Sequence, residues 1–264
     1  MEVEDICQVV SIGSIKIYTF PIVIMFAVFI PYLWCSVSPI YEKRCLYECT
    51  RKAIPVLLFA GIGARLTSAL TLLSVGDFRF LYNLVYGGSV FYGGLIGGML
   101  GLLLTCKKHH QSFLMFADVA ASLLPLGHAI GRLGCYLNGC CYGCRYDGVF
   151  AVNFAVNGTA VKVFPTWFFE SFFCLAIFVA IQTFKPPCFL GFRTGFYLIF
   201  YSVFRFLIEY MRGDEIRGTI GVVSSSQAIS IAMMALGLGV LVYSKKCRTI
   251  NVLFSKECIA NESL

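Results

Sequence analysis

Stretches of about twenty apolar residues recur along this chain, and nothing else in the sequence restricts its fold so severely. They fall at 15–37, 53–74, 80–105, 112–131, 165–184, 188–210 and 219–243. A single run of about 20 such residues is enough to cross a bilayer as a helix, and a helix satisfies its own backbone polar groups in lipid. A water-soluble globule of 264 residues has no use for seven of them, and with 58% of residues hydrophobic and 13% charged there is little polar surface to clothe one. The expected fold class is an all-α polytopic membrane protein with about seven transmembrane helices, as one integral membrane domain over 1–264. The one long connection, 132–164, is expected to be an extracytoplasmic loop or head segment, and its "FAVNFAVNG" suits short β-strands or an interfacial hairpin. The opening "MEVEDICQVV" is acidic where a secretory leader is basic, so the first span reads as retained.

Basic residues set the orientation. Lys43, Arg44, Arg51 and Lys52 follow the first span, Lys107 and Lys108 the third, Lys185 and Arg193 the fifth, and Lys245, Lys246, Arg248 and Lys256 the last. The alternate connections are poorer for their length: Arg79, then Arg132, Arg145 and Lys162, then Arg212 and Arg217. The positive-inside rule puts the N-terminus outside and the C-terminus in the cytoplasm, as an odd number of spans requires. The net charge of +7 is mostly this bias and does not point to nucleic acid.

Some charges lie where lipid should be. Arg65 sits in "LLFAGIGARLTSALTLL" and Arg205 in "FYLIFYSVFRFLIEYMRG", while Asp118, Glu170 and Glu209 are embedded or nearly so. A charge at bilayer depth costs at least about 2.5 kcal/mol even on the lenient insertion scale, so each must face a partner or a wet cavity. Arg205 and Glu209 are spaced i, i+4 and share a helix face; Tyr201 and Arg212 extend the stripe. Two readings fit: an ion pair that neutralises itself and fixes packing, or, with Arg132, a cluster of arginines that holds a phosphate through forked hydrogen bonds.

Glycines supply the next signal. In "YGGSVFYGGLIGGMLG", Gly93, Gly97 and Gly101 are four apart, as are Gly94 and Gly98, a spacing that lets helices approach closely. The doubled Gly87-Gly88 and Gly93-Gly94, flanked by Tyr86 and Tyr92, also suit a helix break or the close approach of a ligand.

The stretch "GRLGCYLNGCCYGC", 131–144, holds four cysteines. Zinc asks for about four ligands in tetrahedral reach. Cys140 and Cys141 are adjacent and do not easily address one centre, and His109 and His110 fall on the opposite side, so no metal is expected. A disulfide within the loop suits an oxidising side. Asn138 and the glycines suit an irregular segment, with Arg132 at its start suited to an anion.

These residues resemble a known family. Its signature Gly-Arg-x-Gly-Asn-aromatic-x-Asn-x-Glu-x-x-Gly is that of prolipoprotein diacylglyceryl transferase, and Gly131, Arg132, Gly134, Tyr136, Asn138 and Gly143 match it, while Cys135 replaces the first Asn and Cys140 the Glu. Four other segments are similar in the same order: "GARL" with Arg65, "FYGGLIGG" with Tyr92 in place of a His before Gly93 and Gly94, "FPTWFFES" with Pro165 and Glu170 kept and Phe164 and Trp167 departing, and "YSVFRFLIEYMRGD" with Tyr201, Arg205, Glu209 and Arg212. The resemblance implies transfer of a diacylglyceryl group from phosphatidylglycerol to the lipobox cysteine of a prolipoprotein signal peptide, giving a thioether and glycerol phosphate. It also implies a multi-pass protein of the bacterial plasma (inner) membrane, two apolar routes that bring lipid and signal peptide to a polar pocket, and no metal or organic cofactor. Arg205, Arg132, Tyr92 and Glu209 then stand as catalytic residues. Arg65, Asn138, Gly143, Tyr201, Arg212, Gly93, Gly94 and Glu170 stand as substrate-binding residues. Tyrosine is a weak base near neutrality, so Tyr92 is expected to orient the glycerol, with Glu209 or water accepting the proton. The replaced positions leave two alternatives: the same fold with another acceptor or a purely lipid-binding role, and a cysteine-based redox or metal protein.

Overall fold

The structure, a computed structural model, describes residues 9–12, 15–38, 43–74, 91–156, 159–183, 190–213, 219–220 and 223–261. Among them are seven α-helices: α1 (Thr19–Val37), α2 (Lys43–Ser74), α3 (Phe91–Lys108), α4 (Phe113–Leu137), α5 (Thr166–Thr183), α6 (Phe192–Ile208) and α7 (Ser225–Asn261). Each answers in order to one of the seven apolar runs. Five segments, Thr19–Val37, Cys49–Leu70, Phe113–Leu137, Thr166–Thr183 and Ser226–Lys246, are long and apolar enough to cross a membrane. Their outer faces carry large apolar side chains, such as Met25, Phe29, Leu57, Leu58 and Phe172, half or more exposed. That surface suits acyl chains, and the chain is a multi-pass membrane protein.

Several boundaries differ from expectation. The first apolar run begins as a strand pair, β1 (Val9–Ile12) and β2 (Ile15–Tyr18), with Val9 opposite Tyr18. Helix α4 runs on to Leu137, so Gly131–Leu137 is helical and not loop. The connection after it contains the expected hairpin, β3 (Val152–Val156) paired antiparallel with β4 (Thr159–Val163). Arg79, Tyr86, Gly87, Gly88, Lys185 and Arg217 lie outside the described residues.

The chain forms two compact units, 38–116 and the remainder. In the unit 38–116, α2 and α3 meet through glycines. A Cβ on Gly93 would strike the Gly63 carbonyl and Thr67, and one on Gly97 would strike the Phe59 carbonyl. Gly93 and Gly94 both lie within helix, so the doubled pair is not a helix break; Gly93 admits the backbone of α2, whereas a Cβ on Gly94 would make only ordinary contacts. Lys52, counted above as a connection residue, is inside α2 and buried, with Nζ 4.0 Å over the Phe116 ring. Arg51 reaches His109 Nδ1 at 3.2 Å.

In the other unit, α1 lies on α4 where Gly127 and Gly134 admit Ala27, Pro31, Val23 and Phe20. The core centres on Ala129, Cys174, Ile177, Ile181 and Tyr201, with Phe173, Phe196, Tyr197 and Met233 packed around it. Gly195 and Gly237 bring α6 and α7 together in the same way.

Embedded Asp118 is accounted for here. Its carboxylate accepts the Gly191 N–H at 2.7 Å, the Thr194 N–H at 2.8 Å and the Thr194 hydroxyl at 2.7 Å. It caps the start of α6, where an anion meets the positive end of the helix dipole. The chain enters α6 through Gly191 at φ 91°, a conformation that suits glycine.

Candidate active site

Three chain segments are tied together beyond the ends of α4, β4 and α6. After Leu137 the chain turns through Gly139 (φ 65°) and Cys141 (φ 61°). It then lies between two neighbours. Gly143 N–H donates to Phe164 O at 2.9 Å, Phe164 N–H to Cys144 O at 3.0 Å, and Cys144 N–H to Met211 O at 2.8 Å. The Thr166 hydroxyl donates to Cys141 O at 2.6 Å. Gly143 is needed because a Cβ would run into the carbonyls of Phe164 and Met211. These bonds fix the ends of α4, α5 and α6 against one another, and each end carries charge.

Glu170, on the first turns of α5, is wholly buried and is the hub. Its Oε2 lies 2.6 Å from Arg132 Nε, and its Oε1 lies 3.4 Å from Arg205 Nη1 and 3.6 Å from Arg212 Nη1. Arg205 Nη1 also meets Glu209 Oε2 at 2.7 Å, the i, i+4 pair expected from the sequence. The arrangement is electrostatic more than hydrogen-bonded: neither Glu170 oxygen has an aligned hydrogen-bond donor. Three guanidiniums and two carboxylates thus share a largely desolvated space with a net charge of +1. Arg132 is the most exposed of the three, at 14% against 7% for Arg205 and 3% for Arg212.

Surrounding groups hold the cluster. Arg132 Nε–H donates to His128 Nε2 at 3.2 Å, one helical turn earlier. An imidazole nitrogen that accepts is unprotonated, so His128 is neutral with its hydrogen on Nδ1. Its ring packs on Tyr201, centroids 4.9 Å apart. Arg205 Nη2 donates to Ser226 Oγ at 3.1 Å, and Ser224 Oγ donates to Glu209 Oε1 at 2.9 Å. Ser224 and Gln227 form a reciprocal capping box at the start of α7, at 3.1 and 3.2 Å. The cap of α7 therefore also orients Glu209.

Of the residues expected at the site, Arg132, Glu170, Tyr201, Arg205, Glu209 and Arg212 are brought together. Gly143 bridges to Arg212 in the segment beside them. Asn138 ends α4, its N–H on Gly134 O at 2.9 Å. Arg65, half-buried on α2, and Gly93 and Gly94 on α3 belong to the unit 38–116, and the side chain of Tyr92 lies outside the described residues. His128, Ser224 and Ser226 were not anticipated. The signal for His128 was present: it precedes Arg132 by four on a helix.

The cysteines differ from expectation. Cys135, Cys140, Cys141 and Cys144 form none of the disulfides expected within the loop. The sulfurs of Cys135, Cys140 and Cys141 lie within 4.8 Å of one another, because the left-handed turn at Cys141 overrides the divergence of adjacent side chains. Hydrogen bonding with Cys135 and then Cys140, aided by Arg212 and Arg132, holds the Cys141 thiol well below the usual thiol range. Cys140 is pushed the opposite way by its bonds to Cys135 and Cys141.

A family described as prolipoprotein diacylglyceryl transferase matches residues 8–243. The chain belongs to that family. Within it, the chain is 36% identical over 161 residues to phosphatidylglycerol–prolipoprotein diacylglyceryl transferase 2 of Clostridium perfringens, 60% of this chain and 62% of that protein. It is 32% identical over 214 residues to the enzyme of that name from Vibrio atlanticus, 75% of this chain and 76% of that one. A third relative, from Chlorobaculum tepidum, is 34% identical over 165 residues, with 56% of its length covered. The aligned stretch thus spans less than two thirds of the first and third of these transferases.

Proposed function

We propose that this chain transfers the diacylglyceryl group of phosphatidylglycerol to the lipobox cysteine of a prolipoprotein signal peptide. The observation that carries the reading is the convergence of Arg132, Arg205 and Arg212 on buried Glu170, in a chain of this family. In the reaction the substrate thiolate attacks the glycerol carbon esterified to phosphate. A C–S bond forms, the C–O bond breaks, and glycerol phosphate departs. The phosphodiester carries one negative charge and the departing monoester approaches two. Fixed guanidiniums therefore bind the transition state more tightly than the substrate, which is what accelerates a reaction.

Arg132, the most exposed guanidinium, meets the phosphate; Arg205 and Arg212 add positive potential from behind. Glu170 is sealed at 0% exposure and positions all three, so it acts through them. Glu209 has 9% exposure, and it or a water accepts the thiol proton. Tyr201 backs Arg132 through His128. The family resemblance keeps Arg65, Gly93 and Gly94, in the unit 38–116, as substrate-binding candidates and Tyr92 as the group that orients the glycerol; Asn138 and Gly143 shape the turn beside Arg132. The chain crosses the bacterial inner membrane seven times with its N-terminus outside, and the segment after α4, 138–164, forms an extracytoplasmic head. The shared name of the relatives does not favour a different acceptor or a purely lipid-binding role.

Expression in cells depleted of their own transferase tests the proposal. Lipidated, mobility-shifted precursor is the expected result. A folded, inserted protein that yields none would overturn it.

A further inference from the structure

Three thiols stand together at the turn after α4, and the transfer reaction gives none of them a role. Cys135 faces the turn from the end of α4, and the Cys140 N–H donates to Cys135 O at 3.0 Å, folding the segment back on its own helix. Cys141 then adopts φ 61°, which is uncommon for a residue with a side chain. The result is that all three sulfurs fall within 4.8 Å of one another. These are not core cysteines: all three are half-buried, whereas Cys174 is fully enclosed.

That spacing is the spacing of a ligand set. Sulfurs about 2.3 Å from a metal lie about 4 Å apart when three surround it in a plane. Sulfur-only donors select soft ions, chiefly copper(I), zinc and iron–sulfur clusters. A closed structural zinc site takes four protein ligands, whereas among the described residues this group has three, the number a three-coordinate copper(I) takes. Three thiolates around a monovalent ion carry a net charge of −2, and Arg212 and Arg132, which both act on Cys141, offset part of it.

We propose that Cys135, Cys140 and Cys141 form a three-thiolate site for a soft monovalent metal ion, copper(I), beside Arg132 and Arg212. The site is independent of the transfer reaction and does not rest on it. Purified protein, reduced and kept anaerobic in detergent, is titrated with copper(I) against a chromophoric chelator. One equivalent is expected to stay with the protein through desalting, and X-ray absorption of the wild type is expected to show a shell of three sulfurs. Changes outside the ligand shell alone cost about 10–100-fold in affinity, so Cys140→Ser and Cys141→Ser are each expected to lose more than that, with Cys144→Ser unchanged. Retention of no copper by the wild type, a shell of nitrogen or oxygen, or equal retention by the serine variants would overturn the proposal. The absorption measurement uses the wild type, so a variant that fails to fold leaves it decisive.

Discussion

Replacing Glu170 with Gln removes the one negative charge that three guanidiniums share, at nearly constant volume. The contacts at 2.6, 3.4 and 3.6 Å are each worth about 5–6 kcal/mol of gross attraction at an effective dielectric near 20. Most of that offsets the cost of taking the carboxylate and the guanidiniums out of water. Removing one partner of a buried pair destabilises by about 3–5 kcal/mol, and Glu170→Gln is expected to fall in that range. Reversible unfolding in dodecylsulfate mixed micelles measures it, followed by the fluorescence of Trp167, which is buried three residues from Glu170 and packs on Tyr136 at 4.4 Å. The second arm is Arg212→Gln. In the Glu170→Gln background it removes an uncompensated cation, so the double variant is expected to be more stable than the sum of the single losses predicts, by about 1–3 kcal/mol. A Glu170→Gln loss below about 1 kcal/mol, or strict additivity with Arg212→Gln, would refute the shared-hub reasoning.

Other expectations follow from the same geometry. Asp118→Asn keeps one acceptor but loses the charge that meets the start of α6, and is expected to cost about 1–2 kcal/mol in the same unfolding assay. Gly143→Ala places a Cβ against two carbonyls, so it is expected to lower transfer more than 10-fold and to raise amide exchange at Cys144 and Phe164, whose N–H bonds close the clamp. Gly93→Ala is expected to force α2 and α3 apart and lower the melting temperature of the purified protein, since the obstructing atoms include the Gly63 backbone.

The fold was largely readable because a bilayer simplifies the problem: each apolar run was expected to become a helix, and each contributes one among the described residues, although the first opens as a strand pair. The boundaries were less readable. Helix α4 continues through Gly131 and Gly134 because Gly134 packs against Phe20 and Val23 of α1, a tertiary contact that overrides the loop-like composition. The Arg205–Glu209 pair was visible as an i, i+4 spacing, since both lie on one element. The gathering of Arg132, Glu170 and Arg212 depends on bonds among three distant segments, which no local pattern encodes; the embedded charges suggested that Arg132 joins Arg205 and Arg212, and only the family resemblance added Glu170 to the site. Asp118 read as an embedded charge of unknown purpose because its partners, Gly191 and Thr194, lie more than seventy residues away. The thiol cluster was read wrongly from adjacency, because the positive φ at Cys141 has no sequence mark.

The most direct test of the arginine cluster is turnover by purified protein given glycerol-labelled phosphatidylglycerol and a lipobox peptide. Release of labelled glycerol phosphate is expected only when both substrates are present, and is expected to fall at least 100-fold in Arg132→Ala and Arg205→Ala, as loss of a transition-state charge donor commonly brings about. Undiminished release by both variants, with the proteins folded and inserted, would contradict the account.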